Sequence, residues 1–194
     1  DHCVTGVQTC ALPIFGGFLF INVNANIRDL LSFLPDGYQS AWMVVVILSI
    51  AALYNMATGL NAAILFTSEK YKWGAGLLVS LAVLAIVLQN VFIPMFGMNG
   101  AATATALSSF FYNTMLLWYV HKHFKLMPFT NENLKVLAAV VVLGLIGFYL
   151  PSIENKVISI IYKSVVLSAI YIAIIFRLNS AAELKTLILG VFKK

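Results

Sequence analysis

The side chains able to do chemistry in this chain are mostly uncharged, and they sit inside long apolar runs. Tyr54, Thr58 and Asn61 fall at i, i+4 and i+7, one stripe of a helix, with Asn55 alongside. Gln89 and Asn90 end a second run, and Ser108, Ser109, Tyr112 and Asn113 crowd a third. At membrane depth such groups face a bundle interior or a water-filled cavity. Taken singly, each is best read as interhelical glue, worth ~0.6 kcal/mol. Taken as a set around a common lumen, Tyr54, Asn55, Thr58, Asn61, Gln89, Asn90, Tyr112 and Asn113 are the candidate lining of a cavity for a large polar molecule.

Groups for bond-breaking chemistry are scarce. His121 and His123 are two apart, so they point to different sides of a helix and do not pair as i, i+4 metal ligands do. With Lys122 and Lys125 beside them, their expected role is contact with lipid headgroups. Asp29, Asp36, Glu69, Glu132, Glu154 and Glu183 all fall in the breaks between apolar runs or in the tail. A membrane hydrolase or glycosyltransferase needs a carboxylate, histidine or metal near its chemistry. GxSxG, HExxH and phosphate-loop patterns are absent. The expectation is therefore a protein that is not an enzyme and carries no cofactor or metal.

The elements that must position these residues follow from composition. Hydrophobic residues make up 61% of the chain, charged residues 10%, and the mean hydropathy is +0.95. Soluble domains average about 45–50% apolar and about 25% charged residues, so this chain reads as a polytopic membrane protein. Uncharged runs cover 41–67, 73–92 and 101–120; 134–150 carries only Lys135, at its start, and 157–176 carries one charge, Lys163. Each is near the ~20 residues that cross the hydrocarbon core. A shorter run, 15–27, reads as the end of a sixth span. Lipid cannot hydrogen-bond a backbone and the period-2 pattern of a barrel is absent, so the spans are expected to be helical. The fold class is thus an all-α transmembrane bundle of about six spans.

Charge sets the expected orientation. Lys70, Lys72, Lys122, Lys125, Lys135, Arg177, Lys185, Lys193 and Lys194 fall on one side if 68–72, 121–133 and the tail are cytoplasmic. The other side holds Arg28 and Lys156, with Lys163 one turn inside the last span. Anionic inner-leaflet lipid accounts for the net charge of +5, so no nucleic-acid partner is implied. Pro35, Pro94, Pro128 and Pro151 are placed in breaks, where a missing N–H costs least. Pro94 precedes an Asn99-Gly100 reversal, with Gly97 available for positive φ. Small residues at Gly74, Gly76, Gly100, Ala101, Ala104 and Ala106 allow close helix packing. Thr130 is a candidate N-cap. Ser180 to Glu183 has capping-box spacing, and Leu184, Leu187, Ile188 and Val191 follow with helical periodicity. The tail, 177–194, is therefore expected to lie as an amphipathic helix on the cytoplasmic surface.

Two resemblances complete the reading. Val4 to Ile14, VTGVQTCALPI, resembles the translation of a common sequencing adapter, so residues 1–14 are set aside from fold reasoning and the chain is expected to be the C-terminal piece of a longer protein. Cys3 and Cys10 fall in or beside that stretch, with His2, and neither a disulfide nor a metal site is expected from them.

The run NVFIPMFGMNGAATATALSSFFYNTMLLWYVHKHFKLMPF resembles the C-terminal half of polysaccharide-biosynthesis flippases of the Wzx type, in the multidrug/oligosaccharidyl-lipid/polysaccharide exporter superfamily. Asn90, Ile93, Pro94, Gly97, Gly100, Ala101, Ala102, Ala104 and Thr105 match a junction between two of that family's spans. MATGLNAAILFTSEKYKW, with Gly59, Asn61 and Ser68, resembles the span and basic turn before it. The Phe33 to Tyr38 stretch resembles the loop before that.

The resemblance implies a two-lobed parent of about fourteen helices. Residues 15–120 would belong to its second lobe and 134–176 would be two additional spans. It further implies transport of an undecaprenyl-diphosphate-linked glycan across the bacterial inner membrane, with membrane lipids and other polysaccharide-assembly proteins as partners. The family's cavity cations would then lie in the other lobe, since the spans within 15–120 hold none and Lys163 belongs to the additional spans. An organic-cation exporter of the same superfamily would need a membrane carboxylate. A membrane enzyme of cell-envelope polysaccharide assembly would need large extracytoplasmic loops.

Overall fold

The computed structural model describes residues 2–35, 37–58, 61–125 and 131–178, with residues 2–11 and 131–132 described by backbone alone. Among the described residues every regular element is a helix. They are α1 (His2–Leu31), a short 3-10 turn at Tyr38–Ala41, α2 (Trp42–Ala57), α3 (Asn61–Thr67), α4 (Tyr71–Phe124), α5 (Asn131–Tyr149) and α6 (Lys156–Arg177). Among the described residues three stretches are long and apolar enough to cross a membrane: Tyr38–Ala57, Tyr71–Phe124 and Lys156–Arg177. The chain divides into two compact units, one of 1–39 with 129–194 and one of 40–128. Thr130, the side chains of Cys3, Cys10, Asp36 and Glu132, and the tail with its Ser180–Glu183 spacing lie outside the described residues.

The second unit is organised by a reversal within α4. A straight helix would place Trp73 and Tyr119 about 70 Å apart, yet their rings lie 5.7 Å apart. The change of direction is at Gly97, whose φ of 58° and ψ of −130° are not helical. L side chains rarely adopt that backbone region, and glycine enters it freely. The two arms then approach so closely that a Cβ on Gly100 would overlap the Phe92 carbonyl. Gly97 therefore turns the chain as its position suggested, whereas Asn99 and Gly100 are already helical. Pro94 also lies inside the helix and not in a break. The first arm runs past Phe92 to the reversal, and the Asn90 carbonyl loses only one amide donor to the proline.

At the opposite end of the hairpin the arms enclose α3. Leu65, Leu116, Tyr119 and Val120 form a buried cluster joined by Leu77, Tyr112 and Phe124. Gly74 is buried with Leu65 and Phe66 above it. Residues 68–70 make the turn into α4, where the Ser68 hydroxyl donates to the Leu65 carbonyl at 2.8 Å and accepts from the Lys70 amide at 3.2 Å. The expected single span over 41–67 is instead two helices, because α2 ends at Ala57 and α3 starts at Asn61. Side-chain bonds to backbone accompany this break. Thr58 Oγ1 donates to the Asn55 carbonyl at 2.8 Å, and Asn61 Nδ2 donates to the Thr58 carbonyl at 2.7 Å. Such local bonds compete with helix continuation, and Gly59 between them adds no helix propensity.

The first unit packs α1 against α5 and α6. Its core contains Ile21, Ala25, Val136, Val140, Leu143, Leu167 and Tyr171, each at most 7% exposed. Gly17 fits against Val140 and the Tyr171 ring, and Gly147 against Ala25 and Leu167, so these two glycines set how closely the helices approach. α1 continues well beyond 15–27, and the Tyr171 hydroxyl donates to the Ile14 carbonyl at 2.8 Å.

The outer faces match a hydrocarbon surround. Val79, Val83, Ile86 and Val87 form an apolar stripe along the first arm of α4, each more than half exposed. Water would not tolerate a continuous surface of this kind on a monomer. If the Gly100 contact sets the hairpin, Gly100→Ala should destabilise the chain by about 1–3 kcal/mol. Gly76→Ala, whose Cβ meets nothing within 4 Å, should stabilise the helix by up to about 1 kcal/mol. Thermal unfolding of both variants in detergent, followed by circular dichroism, checks the difference.

Candidate functional site

Inside the first unit a polar seam joins α1 to α6. Asn22, Asn26 and Asp29 are spaced i, i+4 and i+7, so they share one face of α1. Facing them in antiparallel order are Ser168, Ser164, Lys163 and Ser159. Asn22 Nδ2 lies 3.4 Å from Ser168 Oγ, and Asn26 Nδ2 donates to Ser164 Oγ at 2.9 Å. Each asparagine also donates back along its own helix, Asn22 to the Phe18 carbonyl and Asn26 to the Asn22 carbonyl. Asn24 does the same toward the Phe20 carbonyl. Asn26 Oδ1 is buried and accepts no hydrogen bond in the structure.

The seam ends in a buried ion pair. Lys163 Nζ donates to Asp29 Oδ2 at 2.8 Å, and the two side chains are 4% and 2% exposed. Ser159 Oγ donates to the same oxygen at 2.9 Å and Ser152 Oγ at 3.3 Å. Lys163 also donates to Ser152 Oγ at 2.8 Å. The half-exposed Lys156 ammonium lies 3.7 Å from Asp29 Oδ1. The turn that delivers Ser152 is itself held. Ser159 Oγ accepts from the Ile153 amide at 3.3 Å, and Asn155 caps α6 by accepting from the amides of Val157 and Ile158 at 3.1 and 3.3 Å.

Asp29 was expected in a break between spans. It lies instead in α1, which runs to Leu31, and it is buried because Lys163 is there to neutralise it. The signal that could have found it was Lys163 itself, since a lone ammonium in an apolar helix needs a partner. The opposed charges and three hydroxyl-bearing contacts give a clasp between α1, the α5–α6 turn and α6. Its parts hold one another.

The residues predicted to line a cavity are distributed through the second unit. Thr58, Asn61 and Asn113 are buried, Tyr54, Gln89 and Tyr112 are half-buried, and Asn55 and Asn90 are exposed. Thr58 and Asn61 are joined at the α2–α3 break, as described above. Tyr54 reaches Thr114, with 2.9 Å between hydroxyl oxygens, and its ring lies 4.6 Å from that of Phe110. Asn113 donates to the Ser109 carbonyl one turn back, and Asn90 to that of Ile86. Gln89 and Asn90 line a shallow cavity of about 230 Å³ with Ile86, Ile93 and Pro94, apart from the Thr58–Asn61 pair. Among the described residues no group of three or more His, Cys, Asp or Glu side chains is placed to hold a metal ion.

Removing one member of the buried pair leaves an uncompensated charge. Lys163→Met should therefore destabilise the first unit by about 3–5 kcal/mol. The double variant Asp29→Asn/Lys163→Met should recover a large part of that loss, because neither charge remains buried. Chemical unfolding in detergent micelles measures both, and strictly additive losses would contradict the clasp.

Comparison with family models, with curated proteins and with solved structures gives no match to this chain in any of the three.

Proposed function

We propose that the chain is part of a membrane transporter that moves lipid-linked oligosaccharide or polysaccharide repeat units across the bacterial inner membrane by alternating access. The observation that carries this reading is the α4 reversal. Residues that match the flippase junction have a physical reason to be there: Gly97 adopts positive φ, Gly100 admits the Phe92 carbonyl, and buried Ala102, Ala104 and Ala106 follow on the second arm. Each arm of α4 is about 40 Å long, enough to cross hydrocarbon. On this reading the bundle has about six spans, and the C-terminus lies in the cytoplasm with residues 68–72 and 121–125.

The substrate would be an undecaprenyl-diphosphate-linked glycan, and Tyr54, Asn55, Thr58, Asn61, Gln89, Asn90, Tyr112 and Asn113 would supply uncharged hydrogen-bonding groups toward it. Uncharged amides and hydroxyls suit a glycan because they bind sugar hydroxyls without holding the substrate by charge. The exposed members, Asn55 and Asn90, would face the transport pathway. Of the buried ones, Thr58 and Asn61 would hold the helix break in place.

Deleting the gene in its host should abolish surface polysaccharide and leave lipid-linked repeat units on the cytoplasmic face of the inner membrane. The full-length gene carrying Asn55→Leu and Asn90→Leu should restore less polysaccharide than the unmodified gene at equal membrane abundance. Normal surface polysaccharide in the deletion strain, with new sensitivity to organic cations, would overturn the glycan reading in favour of a drug exporter.

A further inference from the structure

At the end of the α4 hairpin away from Gly97, the two arms and the turn before them enclose a cavity of about 440 Å³. It is lined by Lys70, Trp73, Trp118, Tyr119, Lys122 and His123. Tyr119, 7% exposed, forms a rigid floor: its ring packs 5.7 Å from Trp73 and stacks on His123 at 4.2 Å. His123 Nδ1 lies 3.1 Å from the Tyr119 carbonyl, which orients the ring and leaves Nε2 free of that contact. The two indoles are largely uncovered, Trp73 63% and Trp118 58% exposed. Lys122 Nζ sits 4.9 Å from the centre of the Trp118 ring.

The lining joins basic groups to aromatic faces and contains no carboxylate among the described residues. Neither Lys70 nor Lys122 forms an ion pair with a described residue. Two exposed ammonium groups at one cavity give it a positive potential that an anion would relieve. An interfacial aromatic belt by itself explains exposed tryptophans, but it does not call for both lysines and a histidine around the same hollow. Ammonium groups bind phosphate as point charges. The indole faces suit the glycerol and upper acyl carbons that accompany a lipid phosphate.

We infer that this cavity binds a phosphate group, with Lys70 and Lys122 as its cationic arms, His123 as a further donor when protonated, and Trp73 and Trp118 as the apolar walls. The inference is independent of the transported substrate. The same chemistry is offered by the headgroup of an anionic membrane lipid and by free phosphate in the aqueous phase.

The test uses the full chain carrying Trp42→Phe, so that Trp73 and Trp118 are the remaining fluorophores. It is reconstituted in vesicles containing either phosphatidylglycerol or phosphatidylcholine with the same brominated acyl chains. Quenching should favour phosphatidylglycerol by at least about fivefold in relative binding constant, the scale set by one lysine near an anionic surface. Lys70→Gln with Lys122→Gln should abolish the preference, Lys122→Arg should keep it, and Lys193→Gln with Lys194→Gln should leave it unchanged. Inorganic phosphate added at constant ionic strength separates the sources. Loss of the preference assigns the cavity to soluble phosphate as well, and its persistence assigns it to the lipid headgroup. Equal quenching by the two lipids, or equal losses from the cavity and tail variants, would overturn the site.

Discussion

In hydrocarbon a polar atom has no water to turn to, and the architecture of this chain follows from that constraint. Backbone groups are satisfied by making every described regular element a helix. Side-chain groups are satisfied by bonding to the preceding turn, as Asn22, Asn24, Asn26, Asn90 and Asn113 do. Charge is satisfied by opposite charge with hydroxyls around it, which brings Asp29 and Lys163 together across 134 residues of sequence. The apolar side chains then need no interior, and many of the largest face outward.

The two units use different means of holding helices together. In the first, α1 and α6 are joined by a graded seam, with amide–hydroxyl contacts along most of its length and an ion pair at the end. The glycines of α1 and α5 let the third helix close in. In the second unit, contact comes from the reversal at Gly97 and from the aromatic and aliphatic cluster around Leu65 and Tyr119. The polar groups there mostly serve their own helices. A seam of buried charge tolerates one arrangement of partners, whereas a hairpin of apolar arms leaves its outer faces available to lipid or to further helices.

Much of this was legible in the residues. Long uncharged runs with no alternating pattern allowed only helices, and the positions of α4, α5 and α6 lie within a few residues of the runs that announced them. Gly97 stood out because a turn between two apolar runs needs a residue tolerant of positive φ. What stayed hidden depended on tertiary partners. The stripe of Tyr54, Thr58 and Asn61 assumed one continuous helix, but the Thr58 and Asn61 side chains bond to backbone and accompany a break. Asp29 looked like a loop carboxylate because it follows Arg28 and precedes Ser32 and Pro35. Only the packing of α1 against α6 buries it. Pro94 was misplaced because hydropathy reports where a span can end and says nothing of how far its helix continues.

The central claim is that both arms of α4 cross the membrane and meet at Gly97. In the chain with Cys3 and Cys10 replaced by serine, single cysteines at Lys70, Met98 and Lys125 can be probed in intact cells with an impermeant thiol reagent. The account predicts that positions 70 and 125 respond alike and that position 98 responds oppositely, reactive where they are protected. Labelling of all three from the same side would contradict it, because the hairpin would then lie on the membrane and not through it.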